Sequence, residues 1–383
     1  MPSRILLITD GPAAWPYAMP LLNEWRRQRQ PVRVATTDAA LLFWPQVTWS
    51  AFSGSPSNSL EALDDERLAW AELVVIAPAS GRLIETLGGD WRDRLEALSV
   101  PVVIVPALLP TDDEAVAMRQ FRELLPSSWD ILPPAGEQMA LGALGTVLAA
   151  SPERCLLAAE TALTPQNLSG REVLVTAGPT IEDIDPVRYI SNRSTGRMGL
   201  ALATAALKRG ATVTVVHGPV ALSFPLVPGR MKALPVRSAR QMYEATLREI
   251  AHCDLAILCA AVADYAPGSC AAHKIKKQRQ EALHLDLEHT PDILAAIGNL
   301  SPHPFLIGFA AESDDLEANA ALKLQTKHCD LVCANNILEP GCGFAVTTNR
   351  VTVLGRDGSA EALPLLSKDE TAGRILDIAA RRL

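Results

Sequence analysis

Four largely apolar runs of strand length dominate the first part of the chain: "RILLITD" (4–10), "VRVAT" (32–36) and the continuous runs "LVVIAPA" (73–79) and "PVVIVPAL" (101–108). None keeps up a regular alternation of apolar with polar residues. A strand that is apolar at every position is covered on both faces, and the stretches between these runs are long enough to hold helices. That combination predicts a parallel sheet with helices on both sides, a doubly wound α/β unit. A helix is expected around Met19 to Gln28.

The pattern stops and then starts again. Residues 151–170, a helix followed by "TPQNLSG", read as a linker between a first domain over 1–150 and a second over 171–383. In the second, "EVLVTAG", "TVTVVHGP", "DLAILCAAVADY", "PFLIGFAAES" and "DLVCANN" are strands. "MGLALATAALKRG" and "LEANAALKLQTKH" are helices. "TPDILAAIG" opens another helix with Thr290 as expected cap and Pro291 in its first turn. "NRVTVLGRDGSAEALPL" predicts a hairpin turning at Asp357-Gly358. Ser367 and Glu370 form a capping box for a last helix. Two doubly wound, Rossmann-like domains are therefore expected.

Composition separates the two parts. All seven Trp lie before residue 130, while all seven His lie after residue 216 and the first Cys is Cys155. Chemistry in residues 1–150 must work without imidazole or thiol, and the Asn there are Asn23 and Asn58 alone. Seven cysteines without a CxxC argue against a disulfide framework or zinc site, and reduced core thiols are the plain alternative. A net charge of −8 opposes broad affinity for nucleic acid. No leader or membrane-length apolar run is seen, which makes the cytoplasm the expected location.

Ligands of open α/β sheets bind beyond the carboxyl ends of the strands. In the second domain the first such end is "GPTIEDIDPVRYISNRSTGRMG", a long loop that closes on a helix start. Gly178 and Gly196 allow tight turns. Ser194 and Thr195 offer hydroxyls, and Arg188, Arg193 and Arg197 offer charge, beside helix N–H groups suited to an anion. The plain alternative is an ordinary cap with solvated arginines. GxGxxG and GxxxxGK[ST] are both absent, so neither an NAD fingerprint nor a Walker loop is present. Later strand ends contribute Asp264, the cluster Lys274, Lys276 and Lys277, then Phe309 and Glu312, then Asn335 and Asn336. Lys323 and Lys327, four apart on a helix, share a face and could clamp one anion, or could simply be exposed. The set suits chemistry driven by positioning and charge neutralisation, such as nucleotidyl transfer.

At these residues the second domain resembles phosphopantothenate–cysteine ligases. The resemblance runs through "VLVTAGPTIEDIDPVRYISNRSTGRMG", "GATVTVVHGPV", "AAVADY", "KIKK", "TPDIL", "GFAAE" and "ANN…GF…N", in order. It implies a CTP-dependent, Mg²⁺-assisted joining of 4′-phosphopantothenate to L-cysteine through an acyl-cytidylate, in a homodimer or higher homo-oligomer. It implies Asn192, Lys274 and Arg188 as catalytic residues. Asp264, Lys274, Phe309, Lys323 and Lys327 would hold CTP, and Gly178, Ser194, Thr195 and Gly196 would form the phosphate and substrate loop. Which residues would hold the metal is left open.

Domain 1–150 resembles the flavin-dependent phosphopantothenoylcysteine decarboxylase fused ahead of the ligase in many bacteria. "TDGPAAW" stands at the glycine-rich FMN turn and "APASGRLIE" at an asparagine motif, with Arg82 in the asparagine's place. The catalytic histidine falls near Asp64, the "PAMN" asparagine at Leu109 and the lid cysteine at Leu141. The expectation is a degenerate domain without FMN or decarboxylation. A bifunctional enzyme and a non-catalytic ligand sensor are the alternatives.

Overall fold

The computed structural model describes residues 3–225, 227, 229–276 and 283–383, so Lys277 lies outside the described residues. Two compact units emerge, Met1–Pro165 and Gln166–Leu383.

The first unit holds strands β1 (Ile5–Thr9), β2 (Val32–Thr36), β3 (Asn58–Ser59), β4 (Leu73–Ala79), β5 (Val102–Pro106) and β6 (Asp130–Ile131). They form a parallel sheet in the order β3-β2-β1-β4-β5-β6. A small antiparallel pair follows, β7 (Gln138–Ala140) with β8 (Thr146–Leu148). The helices are α1 (Ala14–Arg27), α2 (Asp38–Leu41), α3 (Gln46–Ser53), α4 (Asp65–Ala69), α5 (Gly81–Leu87), α6 (Asp90–Glu96), α7 (Glu114–Leu124) and α8 (Pro152–Ala162).

Side chains alternate across a strand, and here both faces are dry. Ile5 and Leu7 enter one core with Val34, Val75 and Val103. Leu6 and Ile8 enter the other with Val74, Ile76 and Ile104. This is why no strand alternates in sequence. Much of the tryptophan content is interior: Trp25 and Trp49 are fully buried, and the Trp15 ring meets Trp49 edge-on and Phe52 at 4.6 Å.

Two expectations change. Helix α1 begins at Ala14, five residues before the apolar periodicity becomes clear, because Pro16 falls in its first turn and Pro20 disguises its middle. The first unit, expected to end at 150, extends to Pro165, because the helix expected within 151–170 is α8, whose Cys155, Ala158 and Ala159 complete the first core. The Tyr17 hydroxyl donates to the Ala150 carbonyl at 2.7 Å, binding this segment to α1.

The second unit holds β9 (Glu172–Ala177), β10 (Ile181–Asp183), β11 (Tyr189–Ser191), α9 (Arg197–Lys208), β12 (Thr212–His217), β13 (Met231–Pro235), α10 (Ala239–Glu249) and β14 (Leu255–Leu258). Next come β15 (Tyr265–Pro267), β16 (Leu287–His289), α11 (Ile293–Gly298), β17 (Phe305–Glu312), α12 (Leu316–Thr326) and β18 (Leu331–Asn336). The chain closes with β19 (Thr348–Asn349), β20 (Thr352–Gly355), β21 (Ala360–Ala362), β22 (Leu366–Ser367) and α13 (Lys368–Ala380).

Its sheet runs β13-β12-β9-β14-β17-β18-β20-β21. The first six strands are parallel and β20 and β21 are antiparallel. The last pair is the expected hairpin, with Gly358 at φ +81° in its turn. Helices α10, α11 and α12 cover one face through Met242, Ile297 and Ala320. Helices α9 and α13 pack together on the other, and Arg209 ties them by donating to Asp377 at 2.7 Å and to the Gly373 carbonyl at 3.0 Å. The Ser367–Glu370 capping box is present.

The expected cap at Thr290 is replaced by Asp292, whose carboxylate accepts from Ala295 N at 2.8 Å. The Thr290 hydroxyl is committed to the Ala263 carbonyl at 2.6 Å. Among the described residues no helix is long and apolar enough to cross a membrane.

Candidate active site

Strand order reverses beside β9, between β12 and β14, so a crevice opens at the carboxyl ends of β9 and β14. A cleft of about 810 Å³ lies there. Asn192, Ser194, Thr195, Gly196, Asp264, Phe309, Lys323 and Lys327 all line it. Gly178, Arg188 and Lys274 do not.

Helix α9 forms one wall. Its cap is Gly196 at φ +78°, without a side-chain hydrogen bond. Neither Ser194 nor Thr195 caps it; the Ser194 hydroxyl accepts from Gly196 N at 3.3 Å. The first N–H groups of α9 therefore face the cleft without a side-chain cap. The glycines here serve close approach. A Cβ on Gly199 would meet the Ala177 Cβ at 2.5 Å, and one on Gly178 or on Gly196 would meet Val220 at 2.7 Å. Gly178 thus shapes the loop from behind.

Asn192 donates from Nδ2 to the Ala261 and Val262 carbonyls at 3.1 and 3.0 Å. Its amide fastens the loop to the end of β14. On the opposite wall Lys323 donates to the Phe309 carbonyl at 3.0 Å, and Lys327 pairs with Asp292 at 2.8 Å. The lysine pair expected to clamp one anion is thus engaged separately, one on a carbonyl and one on a carboxylate.

Arg188 and Lys274 are brought close to each other instead. Asp185, almost fully buried, accepts from Val187 N and Arg188 N, both at 2.8 Å, and from Ile275 N at 3.0 Å. The Arg188 guanidinium bonds Asp185 and donates to the Ile275 carbonyl at 2.7 Å. Lys274 is exposed beside this knot. The Arg188 hydrogen bond holds the Asp185 carboxyl well below its usual range, with the three backbone donors assisting. A depressed folded pKa means the tie contributes stability above the ordinary value of 3.8 and loses it as pH falls below. Asp185→Ala is expected to release the segment and speed tryptic cleavage after Lys274 and Lys276 by about tenfold. An unchanged cleavage rate would show that something else holds it.

Sequence reasoning missed the floor. Lys368 and Asn349 line the cleft, 7% and 4% exposed. Burial lowers the Lys368 pKa, with Arg197 adding to the fall and Cys259 opposing it. Cys259, also on the lining, is pushed up to about 12 by burial and is no nucleophile. One signal was available: Lys368 is the first residue of α13, where the helix dipole disfavours a cation.

Residues 168–383 match the family model described as DNA/pantothenate metabolism flavoprotein, C-terminal domain, which sets the class. Across its full length the chain is 38% identical to the coenzyme A biosynthesis bifunctional protein CoaBC of Vibrio cholerae, covering 98% of this chain and 97% of that one. Identity to the protein of the same name from Bacillus subtilis is 35%, with the same coverage. A solved C-terminal domain of a CoaBC protein aligns with 57% of this chain and 97% of its own at 38% identity and a TM-score of 0.48. The chain belongs to the CoaBC family of coenzyme A biosynthesis bifunctional proteins.

Proposed function

We propose that the second unit is a CTP-dependent phosphopantothenate–cysteine ligase. The observation that carries this reading is one cleft at the β9/β14 switch point that joins an open helix start, Asn192, Asp264, Phe309, Lys323 and Lys327. A carboxylate oxygen of 4′-phosphopantothenate attacks the α-phosphorus of CTP, forming a mixed anhydride as the bond to pyrophosphate breaks. The amine of cysteine then attacks the acyl carbon. An amide forms, CMP leaves with the bonding pair, and the amine's proton is lost.

In this reading the α9 N–H groups hold developing negative charge and Asn192, its two amide hydrogens committed to the Ala261 and Val262 carbonyls, positions the loop that carries them, while Asp264, Phe309, Lys323 and Lys327 hold the nucleotide. Among the described residues no three His, Cys, Asp or Glu cluster to bind a metal, so Mg²⁺ would arrive on the triphosphate. Arg188 and exposed Lys274 lie off their own chain's cleft, and the expected homodimer gives Lys274 a second cleft to reach.

The second reading adds FMN-dependent decarboxylation by the first unit. It is favoured by likeness over 98% of the chain to proteins called bifunctional. Against it stand the lack of His and Cys in residues 1–150 and the crevice between β1 and β4. There Asp10, 8% exposed, accepts hydrogen bonds from the Thr37 and Ser80 hydroxyls, which commits two donors at the strand ends to a carboxylate. A carboxylate so placed repels phosphate, and these residues do not fit FMN. Asp64, at the expected histidine position, caps α4 and pairs with Arg67.

One incubation separates the readings: the protein with 4′-phosphopantothenate, cysteine, CTP, Mg²⁺ and added FMN, followed by mass spectrometry. Phosphopantothenoylcysteine as the sole product is expected. Phosphopantetheine would establish the bifunctional reading, and no product with either CTP or ATP would leave a ligand sensor.

A further inference from the structure

Two groups on the cleft floor lack what their chemistry requires. Asn349 is 4% exposed, and its Oδ1 has no hydrogen-bond partner. A buried carbonyl oxygen of this kind calls for a donor. Lys368 is 7% exposed, and its recorded bond runs from Nζ to the Gly343 carbonyl at 3.1 Å. An ammonium has three donors, and a buried one calls for an anion. Among the described residues no carboxylate pairs with it.

The two groups are neighbours by construction. Strand β19 pairs antiparallel with β22, matching Asn349 with Leu366 and Thr348 with Ser367. Lys368 follows directly, and its N–H donates to the Thr347 carbonyl at 3.0 Å. The uncapped start of α9, on the helix that packs with α13, lines the same cleft and adds N–H groups suited to an anion.

The demands are opposite in kind. A phosphate would satisfy Lys368 and α9 but set its oxygens against Asn349 Oδ1. A lone amine would suit Asn349 and be repelled by Lys368. A ligand carrying a carboxylate and an N–H donor on one carbon atom satisfies both.

We infer that Asn349, Lys368 and the start of α9 form a subsite for a free α-amino acid, its carboxylate on Lys368 and its amine on Asn349 Oδ1. This deepens the ligase reading of the same cleft and rests on it: the amino acid is the cysteine whose amine displaces CMP. Lys368 selects the nucleophile by its carboxylate, and Asn349 orients the attacking nitrogen.

Cysteamine, which is cysteine without its carboxylate, is the discriminating probe. Ligation by the full chain is measured with either nucleophile varied at saturating CTP and 4′-phosphopantothenate. The wild type is expected to prefer cysteine in kcat/KM. Lys368→Met is expected to shrink that preference on the order of tenfold or more, mainly through KM for cysteine, and Lys368→Arg to recover most of it. Asn349→Leu is expected to raise KM for both nucleophiles, since both carry the amine.

An equal loss with both nucleophiles in Lys368→Met, or an unmoved KM for cysteine, overturns the subsite. If Lys368→Met fails to melt cooperatively, the wild-type comparison decides: equal use of cysteine and cysteamine overturns it. Pyrophosphate release by the wild type without cysteine tests the parent reading separately. Its absence sinks the ligase, and its presence beside an unmoved cysteine KM sinks the subsite alone.

Discussion

Replacing Asn192 with aspartate is expected to cut ligation by roughly 100-fold or more, with the melting temperature moved by a few degrees at most. The amide of Asn192 donates to the Ala261 and Val262 carbonyls at the end of β14. A carboxylate there would set oxygen against two carbonyl oxygens. The exposed side chain would swing toward solvent, carrying the Ser194–Gly196 turn and the α9 start away from the nucleotide wall. The fold would survive, because α9 is held from behind by Ala203, Ala206 and Leu207 in the core. Asn192→Ala, which deletes the contacts without adding charge, should be milder. An aspartate variant with wild-type turnover would remove Asn192 from the chemistry.

The second large effect is structural. Gly218→Ala is expected to destabilise the second unit by about 3 kcal/mol or more, lowering its melting temperature by roughly 6 to 12 °C. An added Cβ would lie 1.6 Å from the Pro179 carbonyl oxygen and 2.7 Å from its carbon. Backbone, not a flexible side-chain tip, occupies the space, so the chain must move. What moves is the Gly178–Pro179 turn, while Gly218 N donates to the Ala177 carbonyl at 3.0 Å and cannot follow freely. Val220 lies against both Gly178 and Gly196, so the disturbance reaches the α9 start. Ligation should fall with stability. A melting temperature within about 2 °C of wild type would show that the turn yields easily.

The sheets were legible because burial on both faces leaves an unmistakable continuous apolar run. Their ends, and hence most of the cleft lining, followed from the strand-end rule. What failed was local competition. Thr290 is a good cap by type, but its hydroxyl is taken by Ala263, and Asp292 caps instead. Arg188 and Lys274 sit in loops at the correct end of the sheet, yet a buried carboxylate, Asp185, draws them together off the cleft lining. Nothing in the spacing of "DIDPVR" and "KIKK" announces that knot. Asn349 and Lys368 escaped for a different reason. Their placement depends on a two-residue strand pair that has no periodic signature. The first unit shows the reverse: its fold is written plainly, while the hydrogen bonds of Asp10 become visible only when β2 and β4 bring Thr37 and Ser80 to it.

Helix α13 has a consequence for the gene as well as the protein. The motifs that carry the resemblance end near residue 350, although the family match runs on to residue 383. Yet α13 supplies Lys368 to the cleft and buries Ile375, Leu376 and Ala379 in the core on the α9 side of the sheet. A stop codon after residue 366 would therefore behave as a null allele.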